Sequence, residues 1–421
     1  MLSAYACEPG KGSEPGVGWN WVRQIVRVHE VWVITRANNR EPIEQALAKE
    51  PLPNAHWVYF DLPRWARFWK NGQRGVYPYY CLWQLGAYLI ASRLHQQIGF
   101  DLVHHVTLGA SWFPTFLQFL PAPFVWGPVG AGLPSPRLFH AEFSFRGKAN
   151  EWARHALLML SRLDPIHQQI EKRASVILAI SPATVNQLKP TNRRKALLFS
   201  QVGVDCKEIA SLYEKRADNG TYFRLLSVGR LLHWKGFSLG IKAFALFNQQ
   251  HPNSEYWIIG DGPERARLAQ LVSSMGLCSV VSFLGSLSRE AYFSRLFQSN
   301  VLVYPSLHEP GAFVIAEAMV ARRPVICLDF GEPASIVTGE TGIKIPISSP
   351  ERVVMGISQA CALLAANPSL CDRMGDAGRQ RILDFFEWEK KGSAMMEIYN
   401  KLSAVVTPLR PEVCGHLKRP Q

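Results

Sequence analysis

Short apolar runs rich in Val, Ile and Leu alternate with amphipathic stretches along the whole chain, and the pattern occurs twice. The first set is LSAYA (2–6), VWVIT (31–35), HWVYF (56–60), DLVHHV (101–106), PFVWG (123–127), SVILAIS (175–181) and KALLFSQ (195–201). The second set is FRLLSVG (223–229), EYWIIG (255–260), VVSFLG (280–285), VLVYPS (301–306) and RPVICLD (323–329). Runs this apolar read as strands covered on both faces, and the helical stretches between them, such as 240–249 and 264–275, supply the cover. A polar segment at 205–221, containing Lys-Arg-Ala-Asp-Asn-Gly, separates the two sets. The expected fold class is therefore α/β, with two doubly wound Rossmann-like domains facing across a cleft. Their expected limits are 1–204 and 222–384, with a linker at 205–221 and a last helix and tail over 385–421. A length of 421 residues agrees, being too great for one ordinary core.

Composition narrows the function classes. Apolar residues make up 48% and charged residues 19%, which suits a folded globular chain. The net charge of +13 calls for something anionic: nucleic acid, acidic lipid headgroups or a phosphorylated small molecule. The basic residues are dispersed through both halves and no recognition motif accompanies them, so nucleic acid is not expected as a partner. The 8 cysteines are scattered, with no CxxC pair and no His at ligand spacing. They read as reduced and structural, in a cytoplasmic protein without a metal site. No secretory leader is legible before the Gly-rich stretch near the start. The most apolar segment, VYPYYCLWQLGAYLIAS (76–92), contains Pro78, Gln84 and Gly86 and falls short of the ~20 residues a membrane span requires.

Ligands of doubly wound sheets bind at the carboxyl ends of the strands, and the glycines of this chain lie at those ends. The first strand is followed by CEPGKGSEPGVGWNW, where Gly10, Gly12, Gly16 and Gly18 allow close backbone approach and a helix from Trp19 aims N–H groups at an anion. The spacing is G-x-G-x-x-x-G rather than the dinucleotide fingerprint, and the second strand does not end in an acidic residue, so a nicotinamide cofactor is disfavoured. In the second half, LLSVGRLLHWKG puts Arg230 and Lys235 in one loop after a strand, two cations suited to a diphosphate leaving group. WIIGDGPER then makes a tight strand-to-helix turn on Gly260 and Gly262. Finally, HEPGAFVIAEAMV sets Glu309 in a loop and Glu317 inside an apolar helix that starts near Ala312. A buried carboxylate without partners is expensive, so Glu317 needs water or a hydrogen-bonding ligand. Vicinal hydroxyls, such as those of a nucleotide sugar, are one such ligand.

Glu309 and Glu317 form an E-x7-E motif, and with GRLLHWKG and GDGPE in this order the chain resembles the retaining glycosyltransferases of family four, which have the GT-B fold. The resemblance implies a second lobe that holds a nucleotide-diphosphate sugar and a first lobe that holds the acceptor. Carried onto this sequence, Arg230 and Lys235 grip the diphosphate, Glu309 contacts the donor sugar and Glu317 the ribose. Gly260, Gly262 and the backbone of Gly311, Ala312 and Phe313 border sugar and phosphate, and Gly12 and Gly16 close over the reacting centre. His105 is the expected hydrogen-bond partner of the transferred sugar, with His104 as the alternate. The same resemblance implies transfer of a hexose with retention, no metal and no cofactor beyond the donor, and a C-terminal helix (385–402) crossing back to the first lobe. Two departures are visible: Gly311-Ala312 stands where Phe-Gly is usual, and Glu332 where a second glycine is common.

The segment PRWARFWKNGQRGVYPYYCLW (63–83) interleaves aromatic and cationic residues, among them Trp65, Arg67 and Trp69. It suits either an anionic bilayer interface serving a glycan or lipid-linked acceptor, or a packed helix pair inside the lobe. The rival functions are a sugar-nucleotide epimerase or glycan phosphorylase on the same fold and, remotely, a basic nucleic-acid-binding protein.

Overall fold

The computed structural model describes residues 1–70, 75–110, 112–130, 132–211, 222–308 and 311–406. Two wholly parallel sheets form the frame. The first contains β1 (Leu2–Ser3), β2 (Val31–Arg36), β3 (Ala55–Phe60), β4 (Val103–His105), β5 (Phe124–Val129), β6 (Val176–Ala179) and β7 (Ala196–Leu198), in the order β3-β2-β1-β4-β5-β6-β7. The second contains β8 (Phe223–Val228), β9 (Ser254–Ile259), β10 (Val281–Gly285), β11 (Val301–Tyr304), β12 (Val325–Leu328) and β13 (Gly342–Ile345), in the order β10-β9-β8-β11-β12-β13. Every strand expected from the apolar runs is present, and β13 is added. Its sequence, Gly-Ile-Lys-Ile, is too short and too polar to announce itself.

Each sheet is sandwiched between helices. Phe237–Gln250 and Pro350–Ala366 cover one face of the second sheet with Leu239, Phe244, Val353 and Ile357, while Phe313–Val320 covers the other with Ile315 and Met319. In the first sheet, Val76–Ile98 turns Tyr79, Tyr80, Trp83, Ala87 and Ala91 inward. That inward face answers most of the aromatic segment in favour of packing.

The halves are stitched together at several places. Val204 donates its N–H to Phe386 O at 2.9 Å and accepts from Trp388 N at 3.2 Å, so the two chain crossings pair with each other. The closing helix, Trp388–Val406, then lies on the Ser13–Ile25 helix, with Trp21 and Trp388 in edge contact at 5.4 Å. Elsewhere Phe139 and Phe143, from the first half of the sequence, are buried in the core of the second sheet. Beside them Glu151 bonds His233 at 3.3 Å, and the neighbouring Arg154 and His233 hold its carboxyl down at about 2 despite burial. No single helix among the described residues is long and apolar enough to cross a membrane.

Candidate functional site

Strand order reverses between β1 and β4 in the first sheet and between β8 and β11 in the second. Loops leaving such a pair diverge and open a crevice at the carboxyl ends. The Gly-rich stretch follows β1, His105 ends β4, the Arg230–Lys235 loop follows β8, and the loop reaching Gly311 follows β11.

In the second lobe the β8 and β9 loops are knitted together. Leu231 N–H reaches Asp261 O at 2.9 Å, and Glu264 N–H reaches Leu231 O at 3.1 Å. A Cβ on Gly260 would lie 2.1 Å from Gly229 O, and one on Gly262 would lie 2.6 Å from Leu231 O. These two glycines are thus required by backbone approach within the protein. Lys235 runs past Gly229 and donates to Tyr304 Oη at 3.2 Å, at the end of β11. Arg230 stands exposed in the same loop, with no ion-pair partner among the described residues.

Glu309 lies outside the described residues. Glu317 sits in the second turn of the Phe313–Val320 helix, and its side chain is only 14% exposed. Oε2 accepts the Tyr292 hydroxyl at 2.8 Å and Oε1 accepts Arg289 Nη1 at 3.3 Å. Burial raises its pKa, and the Arg289 guanidinium opposes the rise. Arg289 also reaches Glu208 at 2.5 Å. The carboxylate borders a cleft of about 310 Å³ shared by Gly12, Gly16, Phe313, Arg289 and Trp388, so it faces the other lobe. Neither Arg289 nor Tyr292 carries any sequence signal, because both lie on an ordinary amphipathic helix, Arg289–Gln298.

The start of the Phe313–Val320 helix corrects one expectation. The N–H groups of Gly311 and Ala312 do not stand open for phosphate: Gly311 N–H reaches Glu332 Oε2 at 2.5 Å, and Ala312 donates to the same carboxylate. Phe313 N–H turns back to Gly311 O at 2.9 Å. Glu332 also accepts from Ser200 Oγ at 2.5 Å and Gln201 N at 3.2 Å and is fully buried, which raises its pKa. Lys391 lies nearby, with Nζ on Ser200 O at 2.5 Å. Gly311 has φ 78°, and a Cβ there would strike Gln201 Nε2 at 2.5 Å.

In the first lobe the helix starts at Ser13, six residues before the expected Trp19, so Gly16 and Gly18 are helical rather than loop. Gly16 is fixed by packing, since its Cβ would lie 2.0 Å from Lys11 O, whereas Gly12 meets nothing. His104 is excluded as the sugar partner. Its Nε2 donates to Gly127 O at 2.6 Å, so Nδ1 accepts the Tyr399 hydroxyl at 2.5 Å, and burial lowers its pKa to about 3. His105 bonds Tyr80 Oη at 3.2 Å through Nε2, lies against the Leu108 backbone, and is lowered by burial to about 4. Both imidazoles are therefore neutral near pH 7.

The aromatic segment also needs a correction. Trp69 packs against Gly75 and lies 6.5 Å from Tyr79 in edge contact, and Arg67 is held by Asp61 at 2.9 Å. Trp65 and its neighbour Phe68 remain outward, 78% and 82% exposed.

Comparison with known proteins agrees with this geometry. The family described as Glycosyl transferases group 1 matches residues 210–381. Alpha-D-kanosaminyltransferase of Streptomyces kanamyceticus is 28% identical over 368 residues, covering 84% of this chain and 87% of its own. Glycogen synthase of Mycobacterium tuberculosis is 28% identical over 176 residues, and the match spans only 42% of that enzyme's length and 42% of this chain. Among solved structures, sucrose-phosphate synthase from Thermosynechococcus elongatus superposes with a TM-score of 0.67 at 19% identity, covering 96% of this chain and 98% of its own. HepE of Anabaena, in complex with UDP and glucose, does so at 0.59 and 15%, covering 95% and 98%. The two parallel sheets thus have the arrangement of GT-B glycosyltransferase structures, and residues 210–381 match the group 1 glycosyltransferase family.

Proposed function

We propose that the protein moves a hexose from a nucleoside-diphosphate sugar to a hydroxyl of a glycan or lipid-linked acceptor, with retention and without a metal, in the assembly of a cell-surface polysaccharide. The observation that carries the reading is Glu317: a nearly buried carboxylate on a cleft wall, oriented by Arg289 and Tyr292 and turned toward the opposite lobe. In this reading it receives the ribose hydroxyls. Lys235 and Arg230 neutralise the leaving diphosphate, Glu309 holds the donor sugar, and His105, neutral, hydrogen-bonds the transferred hexose. The acceptor oxygen bonds to C1 as the C1–O bond to the diphosphate breaks. The electron pair of that bond stays on the leaving oxygen, which takes the acceptor's proton. HepE was solved with UDP-glucose, which favours a donor of that type here.

The net charge of +13, with Trp65 and Phe68 outward, supports a cytoplasmic protein resting on the inner face of an anionic membrane. Thermal stabilisation by UDP-, GDP- and ADP-hexoses tests the donor assignment, since a ligand bound only to the folded chain raises its melting temperature by mass action. The expected result is a shift with one base and none with the others. No shift with any donor overturns the reading. Flotation with anionic and neutral vesicles tests the membrane contact, and equal recovery with both removes it.

A further inference from the structure

Among the described residues, three other than glycine have positive φ: Ser13 at 61°, Leu108 at 54° and Arg322 at 57°. Arg322 follows the end of the Phe313–Val320 helix, an ordinary position for that conformation. Ser13 and Leu108 have no such explanation. They lie on different loops, after β1 and after β4, at the switch point of the first sheet. Both adjoin one side chain: Ser13 precedes Glu14, and Leu108 donates its N–H to Glu14 Oε2 at 3.0 Å. Left-handed backbone is costly for a residue with a side chain and persists where surrounding structure enforces it, often at functional sites.

The carboxylate so positioned is otherwise unsupported. Oε1 has no hydrogen-bond partner and neither oxygen has an ion-pair partner among the described residues, although a carboxylate can accept about four hydrogen bonds. The charge that bears on it from the second lobe is another carboxylate, Glu332, and burial together with that like charge raises the Glu14 pKa. Leu108 also lies against His105 and favours its protonated form, so the same residue contacts both His105 and Glu14. Because only a hydrogen-bond acceptor favours the protonated form, the group facing His105 is the Leu108 carbonyl. An anionic oxygen without a donor, beside a neutral imidazole and across from the second lobe's Glu332, is a site for hydroxyl groups.

We infer that Glu14 is an acceptor-binding residue: its free Oε1 takes a hydrogen bond from the attacking hydroxyl of a polyol or sugar acceptor, water included, and aims that oxygen at C1 of the donor sugar. The inference rests on the glycosyltransferase reading above. Glu14 stays ionised through the transfer, the acceptor proton leaving with the diphosphate oxygen. Its role is to bind and orient, with Leu108 fixing one oxygen so that the other points outward.

Glu14→Gln separates this role from a structural one, because the amide oxygen can still accept from Leu108 while the anionic acceptor is lost. The measurement is nucleoside diphosphate released from whichever hexose donor stabilises the wild type, with water and with added glycerol as acceptors. The expected result is at least a tenfold loss of turnover in Glu14→Gln, partial recovery in Glu14→Asp, and donor-induced thermal stabilisation equal to wild type in both. Wild-type turnover in Glu14→Gln overturns the inference, as does loss of donor stabilisation along with turnover, which marks a structural pin. A wild type that binds donor yet releases nothing with either acceptor also counts against a hydroxyl site at Glu14. If no nucleotide sugar stabilises the wild type, the reading of the cleft fails, and this inference with it.

Discussion

Glu332 accepts the N–H of Gly311 at 2.5 Å, so the first turn of the Phe313–Val320 helix is capped by a carboxylate from the Gly331–Ile336 helix after the next strand. A helix N-terminus at the carboxyl end of a parallel strand attracts anions through its unpaired N–H groups and its dipole. Here the chain supplies that anion itself, and a donor phosphate approaching the same N–H groups must displace it.

Two consequences of that cap are measurable. Glu332→Gly leaves Ser200, Gln201, Gly311 and Ala312 short of an acceptor, and melting curves should show a loss of about 1–3 kcal/mol. The same variant should bind the nucleoside diphosphate about 5-fold more tightly by calorimetry, because an opposing cost of roughly 1 kcal/mol is removed. Weaker binding in a variant that still folds would mean that Glu332 supports the phosphate site instead of competing for it.

Lys391 is buried between Ser200 O and the faces of Phe199 and Trp21, and burial lowers its pKa from 10.5 to about 7, with Glu332 pulling the other way. Between about pH 7 and 10.5 the unfolded chain binds this proton and the folded chain does not. Stability therefore rises with pH across that window, and below it the full cost of the buried charge remains. Lys391→Met should flatten the rise in urea midpoints between pH 7 and pH 9.5. An unchanged slope would show that Lys391 keeps its proton in the folded state.

Most of the frame was legible because strands covered on both faces must be apolar throughout, which marks VWVIT, SVILAIS and VLVYPS without reference to distant residues. The second lobe's loops were legible because Gly260 and Glu317 are anomalies against that background, a glycine at a strand's end and an acid in an apolar helix. Glu14, Arg289, Tyr292, Glu332 and Lys391 are ordinary polar residues on helices or at helix starts, and only the tertiary fold brings their partners to them. The Ser13 start was hidden because Pro15, Gly16 and Gly18 are weak helix formers and read as loop. Tertiary packing on Lys11 and Ala6 overrides that local preference.

Three buried histidines make the fold acid-sensitive. His104, His105 and His308 are lowered by burial from 6.5 to about 3, 4 and 3. As pH falls through 6.5 the unfolded chain takes up these protons and the folded chain does not, so stability is lost progressively until pH approaches the folded values. With linkage at about 1.4 kcal/mol per pH unit for each proton, the loss by pH 4 is several kcal/mol. Buried Glu14, Glu317 and Glu332, all raised, act in the opposite sense, because the folded chain takes up their protons first. Guanidinium midpoints measured at pH 7, 5.5 and 4.5 should decline, and His104→Gln should lessen the decline. A flat profile would mean that the carboxyls compensate in full.

Glu317 gives the most direct test of the donor site. Tyr292 and Arg289 hold its carboxylate, and the residue lines the cleft shared with Gly12 and Gly16. Glu317→Gln keeps the volume but replaces a charged acceptor with a neutral one, and the resulting amide must present N–H to either Tyr292 or Arg289. Loss of a charge-assisted hydrogen bond to ribose predicts a Kd for the nucleotide sugar about 10- to 100-fold weaker. Arg289→Ala should weaken it less, since the carboxylate survives and loses only its orientation. Binding titrations that rank the two variants in the reverse order would move the recognition role from Glu317 to Arg289. Equal affinity in all three proteins would take the ribose out of this cleft altogether.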